Sequence, residues 1–272
     1  SMRVELQLLG RIIGDDMFGP GSIPGGIDWK SFFRLLDAHH LAPLLYYYLR
    51  KEKKLGLFPA PVGSQWEERY RAAQRDQILR SELLRPLLEA FNREGIVPTV
   101  LKGLDLGYRY YPAPALRPGD DVDLLIRPEE RERTGVIAAA AGWEFVSSSS
   151  TARRYARLDP EGRPVLLVEI HSSLLAPGRR NPEFSVPMED FRRFQRSFQI
   201  EETDCRVLDP EQNLVYLAAH LGHHGYCRLI WFYDLDLIIR KEGGGLDWEA
   251  VIERARRYRS AAAVHHALFL AR

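Results

Sequence analysis

Three short segments of the chain carry the side chains that could do chemistry. Asp121-Val122-Asp123-Leu124-Leu125-Ile126 sets two carboxylates at alternate positions of an apolar run. In a strand, alternate side chains share a face, so Asp121 and Asp123 point one way while Val122, Leu124 and Ile126 point into a core. Two carboxylates on one face repel each other unless a cation stands between them. Mg²⁺ suits that role, taking carboxylate oxygens together with substrate phosphates. A third acid, Glu169, interrupts the apolar run Val165-Leu166-Leu167-Val168-Glu169-Ile170-His171. A charge inside such a strand is costly to bury unless it is paired or bound to metal. If the two strands are neighbours, Glu169 completes a three-carboxylate site, and His171, two residues on, shares its face. Upstream, Leu101-Lys102-Gly103 falls at a predicted strand-to-helix junction. There the glycine lets the backbone approach a phosphate, while the helix N-terminus and the lysine add positive charge. Arg117, in the loop leading to the aspartates, is placed to reach the same phosphates. Each feature alone is commonplace; their order along the chain gives them weight.

Other groups are weaker candidates. His220, His223 and His224 lie at helical spacing on one face and, with His171, could hold zinc in a hydrolase. The plainer reading packs His220 beside the cleft and leaves His223 and His224 at a helix end. Asp234 and Asp236 repeat the aspartate spacing on a helix, where they do not share a face; Asp234, following Trp231, is a candidate substrate contact. The adjacent histidines 39–40 and 265–266 and the tyrosine run 46–48 read as packing residues. Gly243 to Gly245 form neither a Walker loop nor a dinucleotide fingerprint, which removes kinase and Rossmann readings.

The elements that must position these residues fall into three parts. Residues 1–95 read as helical, with apolar spacing over Trp29–Leu36 and Leu41–Leu49 and one long helix over Val62–Arg93 containing Pro86. The Gly/Pro-rich stretch 18–26 separates the first helix from the second. Residues 96–186 read as a small mixed α+β core. Its strands are predicted over Ile96–Leu101, Val122–Ile126, Trp143–Ser147, Arg153–Leu158 and Val165–His171, with a helix opened by Pro128. Residues 187–272 return to helix: 187–197, then a short hairpin over Phe198–Val207, then a helix capped by Asp209 with Pro210 at its first turn. Further helices follow from Leu229, Asp247 and Ala261.

Composition bounds the rest. The chain has 272 residues, 45% of them hydrophobic, enough for a sizeable core. Charged residues make up 28% but leave a formal net charge of only +1, so there is no global basic surface for tracking long nucleic acid. Two cysteines, neither in a CxxC pair, read as reduced thiols. No apolar run reaches the length of a membrane span, and residues 1–5 lack the apolar core of a signal peptide, so a cytoplasmic protein is expected.

With these residues in place, the sequence resembles the polymerase-beta-like nucleotidyltransferase superfamily, and more closely a bacterial branch described only as nucleotidyltransferases. The resemblance spans roughly residues 30 to 270 and is strongest over 100–171. It is carried by Leu101-Lys102-Gly103-Leu104, Tyr111-Pro112, Leu116-Arg117, the Asp121–Ile126 segment and Val168-Glu169-Ile170-His171. His220-Leu221, Trp231-Phe232-Tyr233-Asp234-Leu235 and Asp247-Trp248 extend it. The resemblance implies that Asp121 and Asp123 bind two Mg²⁺ ions, with Mn²⁺ as the alternative. Glu169 would bind only the ion that activates the acceptor hydroxyl, and Lys102 and Gly103 would hold the triphosphate of an NTP. The implied reaction is in-line attack on the α-phosphate with pyrophosphate leaving, the ions about 3.5–4 Å apart. The acceptor would be a small molecule, a peptide or protein, or an RNA end. This chain departs from the superfamily in having Lys102-Gly103 where a Gly-Gly or Gly-Ser pair is usual. Its segment from Gly103 to Asp121, holding Pro112, Pro114 and Pro118, is also longer. A member that binds without turnover, as a scaffold, is the first rival reading; the histidine hydrolase is the second.

Overall fold

The protein is described from a computed structural model covering residues 2–14, 19–173 and 186–271. The N-terminal third forms α1 (Met2–Ile13), α2 (Trp29–Ala38), α3 (Ala42–Lys51) and the long α4 (Ala60–Arg93), which continues through Pro86. Asp28 caps α2 by accepting from the amides of Lys30 and Ser31. Phe32 and Phe33 of α2 meet Trp66 of α4 edge to face, with the Phe33 and Trp66 rings 5.3 Å apart.

The central region runs β1 (Thr99–Leu101), α5 (Lys102–Arg109), β2 (Val122–Leu125), α6 (Arg131–Ala140), β3 (Glu144–Ser148), β4 (Ala152–Leu158) and β5 (Pro164–His171). After α7 (Met188–Arg193) come β6 (Gln195–Ile200) and β7 (Thr203–Leu208). The chain closes with α8 (Pro210–His223), α9 (Leu229–Glu242), α10 (Trp248–Arg257) and α11 (Ala261–Leu270). The strands form one seven-stranded mixed sheet in the order β3-β4-β5-β2-β1-β7-β6. β2 lies parallel to β5 and antiparallel to β1, and β1 is parallel to β7.

Alternation along the central strands sorts their side chains as the sequence predicts. Val122, Leu124 and Ile126 of the β2 segment, with Leu166, Val168 and Ile170 of β5, join Leu84, Leu88 and Phe91 of α4 in one apolar core. The opposite face carries Asp123, Glu169 and His171. A second, larger core lies on that side and unites helices from both ends of the chain, from Leu8 and Phe32 to Tyr258 and Val264. The Tyr48 hydroxyl of α3 lies 2.9 Å from that of Tyr233 on α9, joining the two helical ends directly.

The structure departs from the sequence reading around residue 195. The helix expected over 187–197 stops at Arg193, and Gln195–Ile200 is a strand paired with β7 in the same sheet. The turn joining them places Glu201 and Glu202 at positive φ (48° and 67°). The hairpin expected over Phe198–Val207 is present, but its first strand begins three residues earlier than expected. The last part of the expected core, 174–185, and residues 15–18 of the first interhelical stretch lie outside the described residues.

Candidate active site

β2 and β5 run parallel in a register that sets Asp123 opposite Glu169 and Leu125 opposite His171. β1 on the other side sets Leu101 opposite Asp123, so Lys102 starts α5 beside the same carboxylate. Asp123 is buried, only 4% exposed, and its Oδ1 receives two donors, Lys102 Nζ at 2.7 Å and His171 Nε2 at 2.9 Å. His171 Nε2 also lies 3.9 Å from Glu169 Oε2. The ligand atoms of Asp123, Glu169 and His171 all fall within 4.8 Å of one another, close enough to share one metal ion.

Asp121 stands just before β2 at the edge of this group. Burial raises its carboxyl pKa above the usual range, and the neighbouring charge of Asp123 adds to the rise. Asp123 goes the other way. Burial opposes its charge, but Lys102 and the His171 hydrogen bond outweigh that and hold the carboxyl far below its ordinary pKa. Burial likewise works against the Lys102 ammonium, yet Tyr216 and the aspartates overcome it and keep the lysine charged. The repulsion foreseen between the two aspartates is thus partly relieved by the protein's own lysine.

The backbone at Lys102 is unusual. Its φ is +52°, in the left-handed region that side chains other than glycine enter at a cost of roughly 1 kcal/mol. The superfamily's glycine would sit there freely; here a lysine takes the strained conformation and delivers its ammonium to Asp123. Lys102→Gly and Lys102→Ala both remove the ion pair, but only glycine also relieves the backbone. Lys102→Gly should therefore be the more stable of the two by about 1 kcal/mol in chemical denaturation. Equal stabilities, or alanine ahead, would show that the left-handed turn is not maintained.

Gly103 follows. A Cβ at this second position of α5 would lie 3.2 Å from Nη1 of Arg117, so any side chain there pushes that guanidinium by a few tenths of an ångström. Arg117 is buried and committed. Its Nε and Nη2 donate to the Asp234 carboxylate at 2.8 and 2.7 Å, Nη1 donates to the Pro118 carbonyl at 2.8 Å, and Tyr111 Oη donates to Asp234 at 2.6 Å. Arg117 and Asp234, expected to touch substrate, both line the cleft, and their ion pair clamps the loop before β2 onto α9. Asp120 adds a strap, 3.2 Å from Arg228 and 3.6 Å from His40.

The cleft above these residues has a volume of about 350 Å³, within the range of small-molecule sites. Lys102, Asp121, Asp123 and Glu169 from the sheet region line it together with His220, His224 and Trp231 from the α8–α9 region. The Trp231 ring is 5.3 Å from His220 and 5.5 Å from His224. Burial drives the His220 pKa well below its ordinary value, with the charge of Lys102 adding to the fall, so the ring is neutral at neutral pH. Among the described residues His171 joins the carboxylates, and no metal-competent cluster forms from His220, His223 and His224. Two neighbours escaped the sequence reading. Tyr216 lies one helical turn before His220, and Arg154 pairs in register with Glu169, its Nη2 3.5 Å from Glu169 Oε2. The hairpin spacing of the two predicted strands held the signal for Arg154; helical spacing from His220 held that for Tyr216.

The mixed sheet brings two acids together from adjacent parallel strands, beside a Lys-Gly turn opening a helix, as expected from the sequence resemblance. Residues 25–272 match the family described as uncharacterised nucleotidyltransferase; the chain belongs to it and is on that ground an enzyme of the nucleotidyltransferase class. None of the curated proteins matches the chain. Among solved structures, ANT(2'')-Ia in complex with adenylyl-2''-tobramycin is 14% identical with a TM-score of 0.49, covering 68% of this chain and 99% of that one. A lincomycin-bound lincosamide antibiotic adenylyltransferase, LnuA, is 14% identical with a TM-score of 0.38, covering 58% and 94%. An antigenic nucleotidyltransferase-like protein from Paracoccidioides brasiliensis is 15% identical with a TM-score of 0.39, covering 66% and 89%. Likenesses this distant assign neither substrate nor residue roles.

Proposed function

We propose that the protein transfers an NMP group from a metal-bound NTP to a hydroxyl-bearing acceptor, with release of pyrophosphate. The observation that carries this is the register of β2 and β5, which sets the Asp123 and Glu169 carboxylates side by side in an open cleft. Asp121, Asp123 and Glu169 are the residues that would hold divalent ions: the Asp123 and Glu169 oxygens lie close enough to share one, and Asp121 lines the same cleft. Such ions, Mg²⁺ or Mn²⁺, would neutralise the triphosphate and lower the pKa of the attacking hydroxyl. The bond formed joins the acceptor oxygen to the α-phosphorus. The bond broken is that from the α-phosphorus to the bridging oxygen, which leaves with pyrophosphate, and the hydroxyl proton passes to solvent.

The chain's own residues supply position and charge. Lys102 is a charged side chain on a flexible stem at the phosphate end of the cleft. Gly103 keeps the backbone there open, and Arg117 with Asp234 fixes the loop that carries Asp121. His220 and Trp231 offer a neutral aromatic wall. A cleft of this volume and a net charge of +1 favour a small acceptor over a nucleic-acid strand.

A second reading has one observation in its favour. Lys102 Nζ occupies the Asp123 oxygen that a metal would use, as expected of a scaffold that has given up turnover. Thermal shift with each of the four NTPs, in Mg²⁺ and again in EDTA, separates the two. Stabilisation by at least one MgNTP that disappears in EDTA supports the transferase. No stabilisation by any of them, with or without metal, would count against it.

A further inference from the structure

We infer that His171 is a metal ligand, and that it makes this site select a first-row transition ion such as Mn²⁺ over Mg²⁺. The inference rests on the metal-binding role proposed above for Asp123 and Glu169 and adds to it the identity of the ion. An all-carboxylate site suits Mg²⁺, which takes oxygen ligands and keeps its waters. Imidazole nitrogen suits the transition ions and contributes little to Mg²⁺.

The geometry places that nitrogen inside the carboxylate group. His171 follows Glu169 by two residues on β5, so both side chains leave the same face of the sheet. Its Nε2 donates to Asp123 Oδ1 at 2.9 Å and lies 3.9 Å from Glu169 Oε2. On binding an ion, Nε2 would release that proton to solvent, Nδ1 carrying the ring's remaining N–H. Two donors bound to one ion at about 2.1 Å and at right angles lie ~3 Å apart, so the first spacing already matches adjacent positions of an octahedron. Asp121, by contrast, is not part of the cluster in which the three ligand atoms converge. Besides His171, Asp123 Oδ1 is met by the Lys102 ammonium, one-fifth exposed at the end of a four-carbon stem that can withdraw when an ion arrives.

The test is Mn²⁺ binding to the whole protein, with and without NTP, followed by electron paramagnetic resonance. Wild type should hold Mn²⁺ against Mg²⁺ with a preference of about tenfold or more, and pulsed spectra should show coupling to an imidazole nitrogen. His171→Asn should lose the nitrogen coupling and most of the preference while still binding metal through its carboxylates. Mn²⁺ bound to wild type without nitrogen coupling would overturn the inference whether or not the variant folds. A variant that keeps both coupling and preference would overturn it too. In either case the carboxylate site would stand. If wild type binds neither ion, even with NTP, the proposed function fails along with it.

Discussion

Glu169→Gln should reduce nucleotidyl transfer roughly a thousandfold, about 4 kcal/mol of barrier, while MgNTP affinity stays within a few-fold. The substitution preserves the side chain's size and its position opposite Asp123 on β5, and removes only the charge. The strand order β5-β2-β1 sets Glu169 one strand farther from Lys102 than Asp123, and the proposed role assigns it to the acceptor hydroxyl. Loss of that carboxylate leaves the hydroxyl without the group that favours its ionisation, so attack on the α-phosphate stops while binding persists. Glu169, 23% exposed, also faces Arg154 at a long 3.5 Å, and the arginine is 42% exposed, so little stability is at stake. The check is calorimetric MgNTP affinity beside label transfer. Transfer retained at wild-type rate would remove Glu169 from the site; loss of binding together with transfer would remove the division of labour between it and the aspartates.

Asp123→Asn should cost both function and stability, and the structure supplies the reason for the second loss. Asp123 is buried and answers two donors, Lys102 and His171, on one oxygen. Neutralising it leaves the lysine ammonium largely buried without its partner, a loss of about 3 kcal/mol for pairs of this kind. Because the folded carboxyl titrates far below its unfolded value, the stabilisation is complete above about pH 5 and fades below roughly pH 4. The gap between wild type and Asp123→Asn should narrow in acid accordingly. Asp121→Asn should do the opposite. Its carboxyl pKa is raised, so the charged form strains the folded state at neutral pH, and the variant should melt about 2 °C higher in the absence of metal. Both should lose transfer. Denaturation of the two variants side by side decides the matter: equal destabilisation, or a stable Asp123→Asn, would show that Lys102 does not hold Asp123 as described.

The contrast between those two aspartates marks where sequence reasoning ends. Alternation along Val122–Ile126 and Val165–His171 correctly separated core from cleft residues, because a strand's side-chain period is fixed by backbone geometry. Alternation does not say which strands are neighbours, so the pairing of Asp123 with Glu169 rested on the resemblance until the sheet order was in hand. Nor does it reveal that Lys102 reaches Asp123, because that contact depends on a left-handed backbone at a residue where only glycine is anticipated. Arg117 and Asp234, 117 residues apart, were each recognisable as cleft-lining, but their partnership is a product of how α9 folds back over the loop. The β6–β7 hairpin was legible, but its start was not: the helix expected over 187–197 runs into Gln195–Ser197, which belong to the strand.

The central claim is that the β2–β5 carboxylates support transfer of a nucleotide's α-phosphate to a hydroxyl. The most direct measurement incubates the protein with cell lysate and each NTP labelled in turn at the α- and γ-phosphate, in Mg²⁺ or Mn²⁺. The account predicts that α-label from at least one NTP becomes attached to an acceptor, γ-label appears only in pyrophosphate, and Glu169→Gln does neither. Attachment of γ-label, or α-label transfer that survives Glu169→Gln, would contradict it.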